Sequence, residues 1–214
     1  MVSEHFPRIG TDEAGKGDYF GYLVVAGVML RSNDEQELLL QAGVADSKRL
    51  SDGRVNQLAD LITASCLQEI VMISPAMYNE LYRKCANLNR LSAWAHGRVI
   101  ENLLAKHPCD LAIIDQFGSE QVVLDALQRR GRRIEIQQRP RAEADVAVAA
   151  ASILARSVFV KTLERLSKQV GMTLPKGATH IIEPGKKLVA AKGPKILESV
   201  AKLHFRSTDQ ILKG

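Results

Sequence analysis

The chain has 214 residues, 46% hydrophobic and 25% charged. That is the balance of a folded globular protein, and it excludes a disordered chain or a coiled coil. Lys and Arg outnumber Asp and Glu by 29 to 24, and the excess is uneven: residues 1–107 carry 11 basic and 13 acidic groups, residues 108–214 carry 18 and 11. A net of −2 followed by +7 suits a polyanion met by the second half, and equally a solvated basic surface. In chain order, Arg8–Asp12 reads as a strand leading into the glycine-rich turn Glu13–Asp18, and the apolar run up to Leu30 as a second, interior strand. Asn33–Glu35 can cap a short helix, and Ser51 or Asp52 a helix through Ala64. Leu67–Ser74 reads as a strand. Pro75–Ala105 has helical spacing, with Asn87 and Asn89 as a possible break. Leu111–Asp115 is a short strand ending on an acid, Gln121–Arg130 a helix stopped by Gly131, and Ile134–Ile136 another strand. Ala142–Gln169 forms one long alanine-rich helix. Residues 170–214 follow as a helical appendage whose pieces are separated at Pro184-Gly185 and Gly193-Pro194. The fold class is therefore α/β: a central mixed sheet flanked by helices with a helical C-terminal extension, read as one domain over 1–214.

Cys66, Cys85 and Cys109 share no CxxC spacing, which argues against a disulfide framework or zinc site and suits a reducing cytoplasm. The opening MVSEHFPRIG lacks the apolar segment of a signal peptide. Apolar runs break short of the roughly 20 residues that cross a bilayer, so no membrane partner is expected.

Acids at the ends of apolar strands need a reason, because a buried unpaired carboxylate costs several kcal/mol (roughly) in desolvation. Asp12-Glu13 and Asp115 are such acids, and Glu143 or Asp145 follows near the start of the long helix. Side chains alternate along a strand, so Asp12 and Glu13 share one ligand position only if the chain turns at once after Asp12. Clustered carboxylates without His or Cys favour Mg2+ or Mn2+ over zinc and suit two-ion phosphoryl transfer. Gly15-Lys16-Gly17 is not a P-loop, though its amides and Lys16 can meet a phosphate.

Gly10-Thr11-Asp12-Glu13-Ala14-Gly15-Lys16-Gly17-Asp18-Tyr19-Phe20-Gly21 resembles the first signature of ribonuclease HIII, within the type 2 ribonuclease H family. Further stretches agree in order: Asp46-Ser47-Lys48-Arg49-Leu50, Asn87–Arg90 with Ala93-Trp94, Ile114–Phe117, Arg141–Glu143 running into Ala149–Arg156, Leu174–Ala178 and Lys202–Phe205. The resemblance covers residues 8–206 and implies a ribonuclease H-like fold. It implies an endoribonuclease that cuts the RNA strand of RNA–DNA hybrids, as a monomer, using Mg2+ or Mn2+. The family's catalytic and metal-binding quartet maps to Asp12, Glu13, Asp115 and Glu143, with Asp145 as the alternative to Glu143. Its reader of the ribose 2′-hydroxyl maps to Gly15, Lys16 and Gly17, which suits telling RNA from DNA.

Other residues are weighed on their own chemistry. Ser47 and Lys48 can bind a phosphate, or form a helix-entry turn. Asn87 and Asn89 can hold a substrate strand, or satisfy a kink. Lys176, Lys186, Lys187, Lys192 and Lys195 can track phosphates. Arg129, Arg130, Arg132 and Arg133 fit a solvated helix end better than a nucleic-acid contact. Trp94 is placed in the core, and His96 and His107 are placed as structural. The first signature begins so early that an N-terminal substrate-binding domain has no room, and 170–214 holds no tyrosine of the kind that selects single ribonucleotides in ribonuclease HII. The alternatives are HII-like cleavage at single embedded ribonucleotides and a non-catalytic hybrid-binding protein.

Overall fold

The computed structural model describes residues 5–44, 50–115, 126–127, 134–140 and 142–213. The chain forms two compact units. The first comprises Met1–Glu13, Val25–Val71 and Asn87–Ser157; the second comprises Ala14–Val24, Met72–Ala86 and Val158–Gly214. The expected Gln121–Arg130 helix lies almost wholly outside the described residues, as do Ser47, Lys48 and the arginines at 129–133.

Five strands make one mixed sheet: β1 (Arg8–Ala14), β2 (Leu23–Leu30), β3 (Leu67–Ile73), β4 (Leu111–Asp115) and β5 (Glu135–Arg139), in the order β3-β2-β1-β4-β5. Every residue of β2 is buried, as its apolar sequence requires of a strand with a neighbour on each side. β1 pairs β4 in parallel with Thr11 opposite Ile114, and β4 pairs β5 in parallel with Asp115 opposite Arg139. Parallel strands carry their C-terminal ends to one edge, which is where ligand sites form in open α/β sheets.

In the first unit both faces of the sheet are covered. On one face the helix Leu88–Lys106 comes so close that a Cβ on Gly27 would stand 2.3 Å from Val99 Cγ1. On the other face the long helix Val146–Val170 starts against β1, where a Cβ on Gly10 would stand 2.2 Å from both the carbonyl carbon of Ala147 and the nitrogen of Val148. Ala147, Ala149, Ala150 and Ala151 are fully buried, so small side chains are what permit this approach. The helix Asp52–Ser65 begins at Ser51, whose hydroxyl accepts from Arg54 N, and Asn56 Oδ1 accepts from the Ser157 hydroxyl.

Four sequence expectations change. The long helix begins at Val146, not Ala142: Ala142–Ala144 is a separate 3₁₀ turn, and Asp145 then accepts from Ala147 N through its side chain and from Ala149 N through its carbonyl. Pro184-Gly185 does not divide two helices but lies in the first turn of Ile182–Lys192, where proline forfeits no helical bond. Gly185 there lets the helix meet Ile211, whose Cδ1 would be 2.5 Å from an added Cβ. Trp94 is not core but 41% exposed, on the outward stripe it shares with Arg90, while Leu91, Ala95 and Val99 take the buried side. The long helix is also apolar enough over 18 residues to span a bilayer by composition, which reading unbroken runs misses; 78% of that stretch is buried, so it serves as a core helix.

The second unit is mostly helical. Its helices are Pro75–Cys85, the later part of the long helix, Ile182–Lys192, Ile196–Val200 and Ser207–Leu212. Asn79 binds the segment 198–203 from both ends of its amide: its nitrogen donates to Ala201 O at 2.9 Å, and its oxygen accepts from Leu203 N at 2.9 Å.

Candidate active site

β1 continues through Ala14, so the chain does not turn directly after Asp12, and its two acids emerge on opposite faces. Asp12 looks toward the long helix and takes a hydrogen bond from Ser152, as well as one from Glu13 N at 2.8 Å. Burial, then the charge of Glu13, pushes its carboxyl up from 3.8 to about 6; the bonds from Ser152 and Glu13 N, and the nearby His96, oppose that shift. Glu13 looks toward the helix Leu88–Lys106, where its Oε2 lies 3.0 Å from His96 Nε2.

One step past the Thr11–Ile114 pair, Asp12 and Asp115 reach the same level on neighbouring strands. Asp115 is half-buried, and its Oδ1 accepts from Ala142 N at 3.1 Å. That bond ties the 3₁₀ turn carrying half-buried Glu143 to the C-terminal end of β4. Asp145, two residues on, is spoken for otherwise. Its Oδ2 is 2.9 Å from Nε of fully buried Arg8, its Oδ1 accepts from Ala147 N, and Arg8 also donates to Gln36 Oε1 at 2.5 Å. It therefore serves as an ion-paired helix cap.

Four acids thus border one edge of the sheet. Among the described residues no three His, Cys, Asp or Glu side chains stand close enough together to hold a metal ion, in keeping with the alternation that separates Asp12 from Glu13. The donors nevertheless fit a hard divalent cation. All are carboxylate oxygens, and a cation offsets both the burial and the Glu13 charge that raise Asp12.

The second unit holds the glycine-rich turn. Gly15 has φ +86°, and an added Cβ would stand 2.1 Å from Tyr22 O, so the backbone itself demands glycine. Gly17 differs. It is exposed, its φ is outside the left-handed region, and a Cβ there would meet nothing within 4 Å among the described residues. Lys16 between them is half-buried. The later part of the turn is held by the two C-terminal stretches. Gly177 N donates to Asp18 Oδ1 at 2.5 Å, Tyr19 N to Gly177 O at 3.0 Å, and Lys202 N to Tyr19 O at 2.9 Å. The buried Lys202 amine donates to Asp18 O at 2.7 Å and Gly21 O at 2.8 Å, and burial pulls its pKa down to about 7. Lys176 beside Gly177 is exposed.

Asn87 is the N-cap of the helix Leu88–Lys106: its Oδ1 accepts from Arg90 N at 3.1 Å, after Ala86 has broken the preceding helix with φ +46°. Asn87 and Asn89 are both exposed. His96 is the residue that sequence reasoning missed. No motif marks it, since its partners lie 83 and 85 positions away.

Residues 9–208 match the family model for ribonuclease HII. The chain belongs to the ribonuclease HII family. It is 49% identical over 208 residues to ribonuclease HIII of Protochlamydia amoebophila, a match covering 96% of this chain and 68% of that protein. It is 44% identical to ribonuclease HIII of Chlamydia pneumoniae, over 97% of this chain and 71% of the relative. Among solved structures it resembles Bst-RNase HIII in complex with Mn2+, with a TM-score of 0.89 and 34% identity over 97% of this chain and 70% of that one. It also resembles Aquifex aeolicus RNase H3, with a TM-score of 0.77 and 30% identity over 95% and 74%. The sheet and its flanking helices are thus a ribonuclease H-like fold, and this member of the ribonuclease HII family is an endoribonuclease H.

Proposed function

We propose that the protein hydrolyses the RNA strand of RNA–DNA hybrids, with Asp12, Glu13, Asp115 and Glu143 as its metal-holding acids. The observation that carries this reading is the level placement of Asp12 and Asp115 on adjacent parallel strands, with the turn bearing Glu143 hydrogen-bonded to Asp115. Its support from relatives is the family match and the likeness to a ribonuclease HIII described with Mn2+. Mg2+ or Mn2+, when bound, supplies Lewis acidity for attack of water at phosphorus, and a two-ion arrangement leaves 5′-phosphate and 3′-hydroxyl ends.

The chain's own residues contribute placement. Ser152 orients Asp12, Ala142 N orients Asp115, and the Arg8–Asp145 pair removes Asp145 from the acidic edge, which favours Glu143 as the fourth acid. Gly15, Lys16 and Gly17 read the sugar and phosphate of the cut ribonucleotide. Nothing among the described residues requires glycine at Gly17, and the absence of a side chain there lets a nucleic-acid backbone come close. Asn87, Asn89 and Lys176, all exposed, hold the strands, as do Ser47 and Lys48. The working form is a cytoplasmic monomer.

The test uses purified protein and end-labelled duplexes of three kinds: an RNA–DNA hybrid, DNA with a single ribonucleotide, and all DNA. Each is incubated with Mg2+, Mn2+ or chelator. Cutting inside the RNA tract only with metal, leaving 5′-phosphate ends, is the expected result. Equal cutting of all-DNA duplex would remove the 2′-hydroxyl role from Gly15–Gly17. Efficient cutting beside a single ribonucleotide would point to HII-like selection.

A further inference from the structure

Glu13 faces away from Asp12, toward a buried histidine. His96 is fully buried on the helix Leu88–Lys106. Its Nε2 lies 3.0 Å from Glu13 Oε2, and its Nδ1 lies 2.8 Å from the hydroxyl of Thr11, itself fully buried. Thr11 and Glu13 are two apart on β1 and so share a face. One imidazole therefore spans two successive positions of the strand that carries the acids.

The direction of the bonds follows from chemistry. An ionised carboxylate only accepts, so Nε2–H donates to Glu13, and the Thr11 hydroxyl, which can both donate and accept, partners Nδ1. With Nδ1 held by the threonine, the ring presents Nε2 to the glutamate. The ring is also held firmly in place. On its own helix Gly97 faces Ala126, whose carbonyl oxygen would stand 3.0 Å from an added Cβ, and Val99 sits against Gly27. A helix seated this closely on both sides of residue 96 fixes the imidazole along the strand direction.

We infer that His96, oriented by Thr11, is the positioning residue for the Glu13 carboxylate. It holds one oxygen and thereby sets the direction in which the group meets a divalent cation. Both ring nitrogens go to side chains of one strand, one of them an acid of the site. Orienting partners of this kind typically change metal affinity by about 10- to 100-fold when removed. The inference rests on the metal-site reading above.

The experiment measures Mn2+ binding to the full chain by calorimetry, without substrate, for wild type, His96→Leu, His96→Gln and Thr11→Val. Thermal melts in chelator establish that each variant is folded. His96→Leu should weaken Mn2+ binding about tenfold or more. His96→Gln, which keeps an N–H donor, should recover much of the loss, and Thr11→Val should fall between wild type and His96→Leu. Wild-type affinity in folded His96→Leu would overturn the positioning role while leaving the metal site standing. If His96→Leu does not fold, unchanged affinity in Thr11→Val overturns it instead. A wild-type chain that binds no Mn2+ would sink the metal reading itself, and this inference with it.

Discussion

The two faces of β1 solve different problems with alternate residues of one heptapeptide. Arg8, Gly10 and Asp12 face the long helix, where contacts are closed and permanent: a buried ion pair to Asp145 and a glycine at which an added Cβ would stand 2.2 Å from backbone. Thr11 and Glu13 face the helix Leu88–Lys106, where contacts are polar and run through one imidazole. The first face fixes where the strand is. The second fixes where a carboxylate points. A strand at the heart of a sheet can thus expose acids at its end without losing its register, because stability and chemistry are assigned to different side chains.

Substitutions that separate those assignments come in a definite order of size. Asp12→Asn or Asp115→Asn should keep the chain folded and lower hybrid cleavage by roughly 10³- to 10⁴-fold, the several kcal/mol that metal-assisted charge stabilisation is worth. Steady-state cleavage of a labelled hybrid measures it, and normal turnover in either variant would break the assignment of acids to chemistry. Asp145→Asn should do the reverse. It leaves the Arg8 charge buried without its partner and should cost about 3–4 kcal/mol in urea unfolding. Glu143→Gln should cost turnover and little stability; if the two variants exchanged behaviours, Asp145 would be the fourth acid. Gly10→Ala brings a Cβ onto the backbone of Ala147 and Val148, which cannot rotate away, and should destabilise by about 3 kcal/mol.

The smallest effect concerns pH. In the folded protein in chelator Asp12 titrates at about 6 against an ordinary 3.8, so between those values the folded state holds more protons than the unfolded state. Its contribution is fully present below pH 3.8 and is lost as pH rises through 6. Asp12→Asn should therefore show a shallower decline in stability than wild type over pH 4–6, read as the difference between paired melts in chelator. Parallel curves would mean that burial and Glu13 do not raise this carboxyl.

Much of this was legible from residue type alone. Asp12 and Asp115 stand out because an acid ending an apolar strand calls for explanation, and the break at Asn87 because asparagine caps helices. Ser51 and Gly193 mark boundaries by the same local chemistry. What was not legible depends on partners distant in sequence. Asp145 and Glu143 look alike until Arg8, 137 positions earlier, claims one of them. Trp94 reads as core by its apolarity, yet the helix turns it outward because Leu91, Ala95 and Val99 already fill the buried side. Pro184 reads as a breaker, but a proline in a first turn breaks nothing. His96 carries no local mark at all.

Lys202 has a consequence for how the molecule is made. The carbonyls of Asp18 and Gly21 receive their amine from a residue 184 and 181 positions later. During synthesis the acids of β1 emerge before β4, which can join β1 once residue 115 has followed. The glycine turn has to wait for residue 202 before its oxygens find their donor. Vectorial synthesis therefore yields the acidic edge first and the finished turn last, and a nascent chain paused between those events holds acids beside a turn that is not yet set.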